Sequence, residues 1–199
     1  MIQVPYSPTQ WLYEELELTD LIAEESILDQ VEVYGCEITR ARLRSATLKR
    51  WVFEACTFRD CDLSNINWEG CTFIGCHFID CRFIGSDWRQ VASLVAEVNF
   101  ERCDLSLSHM SGIALRSSRF EHCKCIDTDF SRSDLSESSW SGTEVTDALF
   151  EETKLMNANL SGAIGERFDP NVSVLSGATV SVATAIRLVE MMGLTVERS

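Results

Sequence analysis

Cysteine is the residue type whose number and spacing most invite a chemical interpretation. The sequence contains 9 cysteines, and Cys71, Cys76 and Cys81 follow one another at intervals of five residues. Zinc sites built from cysteine pairs use a C-x2-C spacing, which this interval does not match. A buried free thiol, in contrast, packs well as a small apolar side chain. The spacing therefore predicts cysteines inside a core, with neither a metal site nor a structural disulfide.

Histidine gives no catalytic pattern. His77, His109 and His122 lack a serine, cysteine or carboxylate partner at catalytic spacing, and the sequence has no glycine-rich phosphate loop. A core filled with side chains would also leave no cleft in which polar groups could converge on a substrate. We therefore expect no catalytic residue, no cofactor and no enzyme activity.

Large apolar residues return at every fifth position in two long runs, from Val33 to Trp88 and from Phe100 to Leu160. A smaller residue stands two positions before most of them, and eight of the nine cysteines occupy that smaller position. A period of five fits neither a helix nor simple strand alternation. It fits a short extended piece followed by a corner, in which residues two apart point inward together. The predicted core includes Phe53, Phe58, Phe73, Phe78, Phe83, Phe100, Phe120, Phe130 and Phe150.

Units such as CDLSN at 61–65, TDFSR at 128–132 and ANLSG at 158–162 resemble the A(D/N)LXX consensus of the pentapeptide-repeat family. The resemblance covers about Leu28 to Gly165. It implies an all-β solenoid, a right-handed and four-sided parallel β-helix with about 20 residues per coil. Spacing alone leaves the number of sides open, because similar side chains recur at lags of both 15 and 20.

The pattern divides the chain into five parts. They are an N-terminal cap at 1–27, a first run at 28–88, a break at 89–99, a second run at 100–165 and a C-terminal segment at 166–199. Ser7 followed by Pro8 is typical of a helix start, so a short capping helix is expected over Pro8–Glu17.

The break inserts two residues, since Trp88 and Phe100 are twelve positions apart. It is either a bulged coil with Leu94 still facing inward or a loop that projects from the rod. Loops on rigid scaffolds often carry binding residues. The candidates here are Arg89, Val91, Leu94 and Val95.

The C-terminal segment predicts a helix from Ser181 to about Met192, ended by Gly193. Apolar residues recur at helical spacing at Val182, Ala185, Ile186, Val189 and Met192, so the helix is expected to pack over the last coil. Related pentapeptide-repeat proteins dimerise through this segment. The resemblance therefore implies a homodimer, with contacts expected at Ile186, Val189, Met192, Leu194 and Val196.

The formal charge of −14 argues against direct binding of nucleic acid, which requires clustered lysine and arginine. Residues 1–37 hold nine acidic residues and no base, whereas residues 40–50 hold five bases and no acid. With about 20 residues per coil, Asp104, Asp127, Glu144 and Asp147 project from one face. A rigid acidic rod is a physical substitute for duplex DNA, so these four residues are the predicted contacts to a basic partner groove.

Two runs, a break and a C-terminal helix look like the quinolone-resistance and microcin-immunity branch of the family. Members of that branch bind DNA gyrase or topoisomerase IV and protect these enzymes from poisons, which is the function that the resemblance implies here. The alternative is a protein–protein interaction module for an unrelated partner, using residues 40–50 or the break. The start of the sequence resembles no signal peptide and no apolar stretch is long enough for a membrane span, so we expect a cytoplasmic protein with no membrane contact.

Overall fold

Each five-residue unit folds as a short extended piece followed by a corner. The corner ends on a residue with positive φ, as at Glu15 (50°), Asp20 (54°) and Glu25 (54°), and 22 non-glycine residues of the described part of the chain adopt this left-handed conformation. Such a conformation is uncommon for residues other than glycine. The backbone N–H compensates by donating to a carbonyl one coil further on, at 2.9 Å from Glu15 to Tyr34 and at 3.0 Å from Asp20 to Thr39. The corners are therefore fixed by hydrogen bonds between coils.

A computed structural model describes residues 11–95, 97–165 and 173–197 of the chain. The strands in these ranges are β1 (Trp11–Glu14), β2 (Glu17–Thr19), β3 (Ile27–Asp29), β4 (Val31–Tyr34), β5 (Glu37–Thr39), β6 (Thr47–Lys49), β7 (Val52–Glu54), β8 (Thr57–Arg59), β9 (Asn67–Glu69), β10 (Thr72–Ile74), β11 (His77–Ile79), β12 (Ser93–Val95), β13 (Asn99–Glu101) and β14 (Phe120–Glu121). One helix, α1 (Val182–Met191), follows them. At ten residues α1 cannot cross a lipid bilayer, and no other helix of the described ranges is long and apolar enough to do so.

The strands pair in parallel across successive coils and form four faces. The first face carries β1-β4-β7-β10-β12, and the second carries β2-β5-β8-β11-β13-β14. The third face consists of single bridges that begin with Ile22↔Arg42, and the fourth carries β3-β6-β9. Pairs such as Trp11↔Val31 and Leu18↔Ile38 lie four quintets apart along the chain, so each coil has four sides. The predicted four-sided parallel β-helix is confirmed.

The core is a continuous column of the alternate side chains of every quintet. All nine phenylalanines expected inside are buried, with Phe150 the most exposed at 4%. The rings stack along the second face, and Phe120 lies 4.2 Å from Trp140 between ring centroids with an interplanar angle of 12°. Stacked and edge-to-face aromatic pairs add to the free energy gained from apolar burial.

The predicted helix over Pro8–Glu17 is wrong in its described part, because β1 and β2 occupy residues 11–14 and 17–19. Ser7 and Pro8 lie outside the described residues. The five-residue pattern extends back beyond Val33, with Leu18 only 6% exposed and Tyr13 packed partly against the core. Pairing between coils therefore overrides the local helix-start signal, and residues 11–27 belong to the solenoid.

The break is a bulged coil and not a projecting loop. The pairing offset is 20 at Asn67↔Asp87, 21 at Phe73↔Leu94 and 22 at Phe78↔Phe100. One extra residue therefore enters at each of the two corners that flank β12. The backbone of Leu94 and Val95 stays within the sheet of the first face.

The solenoid also extends further than residue 165. Bridges join Lys154 to Val174 and Asn159 to Thr179, and Leu175 and Val180 pack partly against the core. Helix α1 then begins after Ser181, whose hydroxyl accepts a hydrogen bond from the Thr184 N–H at 3.1 Å. The predicted helix is confirmed, and Gly193 follows it with a φ of +81°.

The buried side of α1 differs from the one that the apolar spacing suggested. Thr184 is 2% exposed and Leu188 packs partly against the core. Val182 and Met192, which were expected to cover the last coil, are 78% and 62% exposed. The helix therefore rests on the face that contains Thr184 and Leu188, which leaves an apolar surface in contact with solvent.

Candidate interaction surfaces

The interior of the column offers the thiols no chemistry. All nine cysteines are buried and unpaired. Most of the thiols donate weak hydrogen bonds to carbonyls of the preceding coil, as from Cys71 Sγ to Leu48 at 3.3 Å and from Cys103 Sγ to Phe78 at 3.3 Å. Burial raises the pKa of the Cys71 thiol to about 12. The cysteines therefore fill space as neutral thiols.

Hydroxyl groups take over the same position in the second run. Thr128 donates to the carbonyl of Leu105 at 2.9 Å, and Thr143 donates to the carbonyl of Phe120 at 2.7 Å. These bonds span the same 23 residues as most of the thiol contacts, such as Cys123 to Phe100. Where the small inward position carries a side-chain donor, a thiol or a hydroxyl satisfies the same carbonyl one coil away.

The surface carries the three histidines apart from one another. His77 lies on β11 of the second face, and His122 lies at a corner. His109 lies on the fourth face, where its backbone forms parallel β-bridges with those of Asp87 and Asp129. Within the described ranges, no group of three or more histidine, cysteine or acidic residues is arranged to hold a metal ion.

The four acidic residues expected on one face do lie on one side of the solenoid. Asp104 and Glu144 occupy outward positions of the third face, with Lys124 between them. Asp127 and Asp147 lie one coil apart at the corner that follows this face, and the N–H of Asp127 donates to the carbonyl of Thr146 at 3.1 Å. The corner is acidic, whereas the face itself mixes both signs of charge.

This mixture is regular over most of the third face. The outward residues of successive coils are Ile22, Arg42, Asp62, Arg82, Asp104, Lys124, Glu144 and Ile164. We call the six charged members the charge ladder. The sequence already contains the alternation, but it becomes visible only when the coil length is known, because the six residues are 20 or 22 positions apart.

The basic residues at 40–50 divide between two environments. Arg40 forms two hydrogen bonds of 2.9 Å with Asp20, which lowers the pKa of that carboxyl group. Lys49 pairs with Glu69 at 2.9 Å. Arg42 and Arg44 are exposed and have no ion-pair partner among the described residues.

The residues expected in a loop at the break are spread along the bulged coil. Arg89 pairs with Asp87 at 2.7 Å, and this contact lowers the pKa of Asp87 despite partial burial. Val91 packs partly against the core. The segment therefore presents no separate binding loop.

The C-terminal segment exposes apolar side chains around the end of α1. Met191, Met192 and Leu194 are 52%, 62% and 59% exposed. Of the other residues expected at a dimer contact, Ile186, Val189 and Val196 are half-buried. A cluster of this kind on a rod is typical of a surface that another protein covers.

Comparison with known families and structures agrees with the geometry. A model of the pentapeptide repeat region matches residues 53–123, and a model of pentapeptide repeats in eight copies matches residues 114–151. No curated protein matches the sequence. The two family-model matches together cover residues 53–151, which include the break at 89–99.

Two solved structures share the fold over nearly the whole chain. Both are trypsin-treated variants of QnrB1, a plasmid-mediated fluoroquinolone resistance protein. The first has a TM-score of 0.63 and 17% sequence identity, and the match covers 91% of this chain and 100% of that one. The second has a TM-score of 0.60 and 15% identity, with coverage of 94% and 98%. The family models identify residues 53–151 of this chain as pentapeptide repeats, and the same coil geometry continues through the described residues on both sides.

Proposed function

We propose that this protein binds a type II DNA topoisomerase, either DNA gyrase or topoisomerase IV, and protects the enzyme from quinolone or toxin inhibitors. The observation that carries the proposal is the fold shared with QnrB1, a fluoroquinolone resistance protein, over 91% of this chain. Quinolones act on these topoisomerases, and the branch of the family that the sequence resembles binds them. The proposal places the protein in the cytoplasm, where its target works on DNA.

Charge and rigidity support mimicry of DNA as the mode of binding. The chain carries a formal charge of −14 on a rod whose coils repeat at about 4.8 Å. Asp127 and Asp147 occupy equivalent corner positions in consecutive coils, so they lie one coil apart along the rod. Duplex DNA likewise carries regular negative charge along an axis, and a basic DNA-binding groove would attract both by electrostatic steering.

A homodimer would lengthen this acidic surface. We propose that Met192, Leu194 and Val196 pack against the same residues of a second copy, together with Ile186 and Val189 of α1. The exposure of Met192 (62%) and Leu194 (59%) supports this contact. A twofold axis at the end of the rod would place the two acidic corners on one continuous surface.

Binding rather than catalysis is the proposed mode of action. The column is filled by side chains such as Phe78, Phe100 and Trp140, each of them 0% exposed. A catalytic site needs polar groups that converge in a pocket. The outward residues of this rod instead diverge from a convex surface, which suits contact with another macromolecule.

A supercoiling assay with purified gyrase and topoisomerase IV tests the proposal. The protein should restore supercoiling in the presence of a fluoroquinolone, and replacing both corner acids, Asp127→Asn with Asp147→Asn, should weaken the rescue several-fold. The matched control is Glu151→Gln with Glu152→Gln, which changes the net charge equally on another corner and should leave the rescue intact. Folded wild-type protein with no effect on either enzyme would exclude the proposal.

The second candidate is an interaction module for a different, acidic partner. It is favoured by Arg42 and Arg44, which are exposed. The nearby basic residues Arg40 and Lys49 are instead paired with acidic side chains. Capture from a lysate of a defined partner other than a topoisomerase, lost with Arg42→Glu or with Leu94→Asp, would favour this function. Capture of gyrase that survives Arg42→Glu would favour the first.

A further inference from the structure

The third face has a property that the acidic residues predicted to contact a topoisomerase do not explain. Its outward residues run from Ile22 through the charge ladder to Ile164, and each is bridged to the next across neighbouring coils. Three members of the ladder are positive and three are negative, so it carries no net charge although the chain carries −14. At about 4.8 Å per coil, the seven steps from Ile22 to Ile164 span about 34 Å.

Ion pairing within the chain uses little of this alternation. The ladder contains one ion pair in the described residues, Arg82 to Asp62, and its length is 3.9 Å. The carboxylates of Asp62 and Asp104 instead accept hydrogen bonds from the backbone N–H two residues further on, at 3.2 Å and 3.1 Å. The side chain of Arg82 is 62% exposed. The three basic members of the ladder are exposed, and the three acidic members are half-buried with part of each side chain open to solvent.

We infer that the third face binds the third face of a second copy with the two rods antiparallel. A ladder of even length that alternates in sign is complementary to itself when it is reversed. The reversed ladder places Arg82 opposite Asp104, Asp62 opposite Lys124 and Arg42 opposite Glu144. Each contact occurs twice about a twofold axis, as in an isologous dimer. The exposed isoleucines at the two ends, Ile22 (44%) and Ile164 (58%), then face each other.

Direction and register both follow from the ladder. In a parallel dimer with a twofold axis every charge would lie opposite its own copy, and an antiparallel dimer shifted by one coil would place like charges together. Juxtaposed like charges at an interface are strongly unfavourable, so these arrangements are suppressed. An antiparallel shift of two coils pairs opposite charges again but leaves part of each ladder without a partner, so the alignment centred between Arg82 and Asp104 makes the most opposite-charge contacts.

The corners beside the third face fit the same alignment. A twofold axis in the plane of the interface places each corner opposite the same corner of the other copy. On the corner before the third face, Asp60 of one copy lies at the same height along the rod as His122 of the other copy. Asp80 of one copy likewise lies at the height of Arg102 of the other copy. On the other corner Ser45 lies level with Asp147. None of these levels brings two like charges together.

The contact is narrow, since it uses one face of the rod and its two corners. Interfaces of this size fall at the lower end of the range for specific complexes and are weak. Since the charges remain close to solvent, salt should reduce the affinity. We therefore expect association that is reversible and favoured at low ionic strength.

Sedimentation of the full-length protein at about 0.05 M and about 1 M NaCl measures this association. Arg82→Asp introduces two like-charge contacts per dimer and should weaken the low-salt association by about tenfold or more. The exchange Arg82→Asp with Asp104→Arg restores opposite charges between copies, so it should recover the association. Lys154→Asp on the first face changes the net charge as Arg82→Asp does and should have little effect.

The exchanged variant also separates binding from internal stabilisation. It places like charges next to each other within the chain, at Asp62 beside position 82 and at Lys124 beside position 104, while opposite charges meet between copies. Recovery of association therefore supports an intermolecular role. Failure of the folded exchange variant to associate, or equal effects of Lys154→Asp and Arg82→Asp, would overturn the inference.

The C-terminal contact proposed above is distinguished by its chemistry. An apolar contact at Met192 persists in high salt and should be lost with Met192→Asp. The third-face association should persist in Met192→Asp at low salt and should be lost at high salt. A Met192→Asp variant that stays monomeric at both salt concentrations would overturn the third-face inference. A third-face dimer would cover the corner of Asp127 and Asp147, so the supercoiling assay reports on protein released from this dimer, and failure of either experiment leaves the other readout intact.

Discussion

Phe78 stacks on Phe100 with ring centroids 5.3 Å apart and an interplanar angle of 14°, although the two residues lie on opposite sides of the break in the sequence. The stack continues from Phe58 below and to Phe120 above, with centroid distances of 4.7 Å and 5.2 Å. The two extra residues of the break are absorbed at corners, so the inward positions stay in register. The two runs of the sequence therefore share one core.

Truncation of a ring in this stack should be costly. Phe78→Ala removes a fully buried ring from a column that cannot collapse around the gap, and we expect a loss of about 3–5 kcal/mol in the free energy of unfolding. The neighbouring outward residue on β11 is the control, since His77→Ala removes an exposed side chain and should change the stability by less than about 0.5 kcal/mol. Urea unfolding followed by circular dichroism measures both. Equal stability of the two variants would contradict the inward assignment of Phe78.

The tryptophans of the column differ in whether their indole N–H has a partner. Trp88 donates to the hydroxyl of Ser86 at 2.8 Å, and Trp140 donates to the hydroxyl of Ser138 at 2.8 Å. Trp68 has Ile66 at the corresponding position, and its Nε1 is buried without a hydrogen-bond partner. A buried donor without a partner is destabilising.

Trp68→Phe should therefore cost less stability than Trp88→Phe. Both variants remove a similar volume from the same face, but only the second also breaks a hydrogen bond. We expect the two free energies of unfolding to differ by about 1–2 kcal/mol. Chemical denaturation of both variants measures the difference, and an equal loss at the two positions would show that the indole N–H groups do not distinguish them.

The thiols should be unreactive in the folded protein. Burial raises the pKa of Cys71 to about 12, and all nine cysteines are buried. Only the thiolate attacks disulfide reagents, so both access and ionisation protect these residues. We expect slow reaction with Ellman's reagent at pH 8 in buffer and reaction of all nine thiols in denaturant. Rapid stoichiometric labelling of native protein would show that a cysteine lies outside the column.

The inward positions were predictable from the sequence because a period of five admits few other folds. The number of sides per coil could not be predicted from spacing, because similar side chains such as the cysteines recur at lags of both 15 and 20 residues. The family resemblance was needed to choose four sides. The N-terminal coils were missed because Tyr13, Leu18 and Ala23 form a weaker repeat than the later aromatics. The local Ser-Pro sequence there predicts a helix start. The strand pairing that forms instead depends on partner residues one full coil away along the chain, which local sequence does not reveal.

The surfaces were harder to predict than the core. The acidic residues Asp127 and Asp147 could be placed on one side once the coil length implied by the family was assumed. The charge ladder depends also on the two-residue insertion, because Arg82 and Asp104 are 22 positions apart. The side of α1 that packs depends on how the last coil ends, and its apolar spacing does not encode that.

The ion pair between Arg102 and Asp80 should make stability depend on pH. Arg102 donates from Nε at 2.7 Å and from Nη2 at 2.8 Å, and these bonds lower the pKa of the Asp80 carboxyl group. A carboxyl group whose pKa is lower in the folded state than in the unfolded state stabilises the folded protein. This stabilisation is fully present at pH values above the pKa of the group in the unfolded chain, which is about 3.9. The contribution is lost as the pH falls through the folded pKa. Both side chains are more than 40% exposed, so solvent screening keeps this contribution small.

Arg102→Gln should therefore lower the free energy of unfolding at pH 7 by this small amount. At about pH 2 to 3 Asp80 is increasingly protonated in the wild type as well, so the two proteins should converge. Arg119→Gln on the second face removes a positive charge without breaking this pair and serves as the control. Urea unfolding at both pH values measures the difference. A deficit of Arg102→Gln that stays constant down to pH 2 would mean that the guanidinium acts through packing of its aliphatic stem and not through the charge of Asp80.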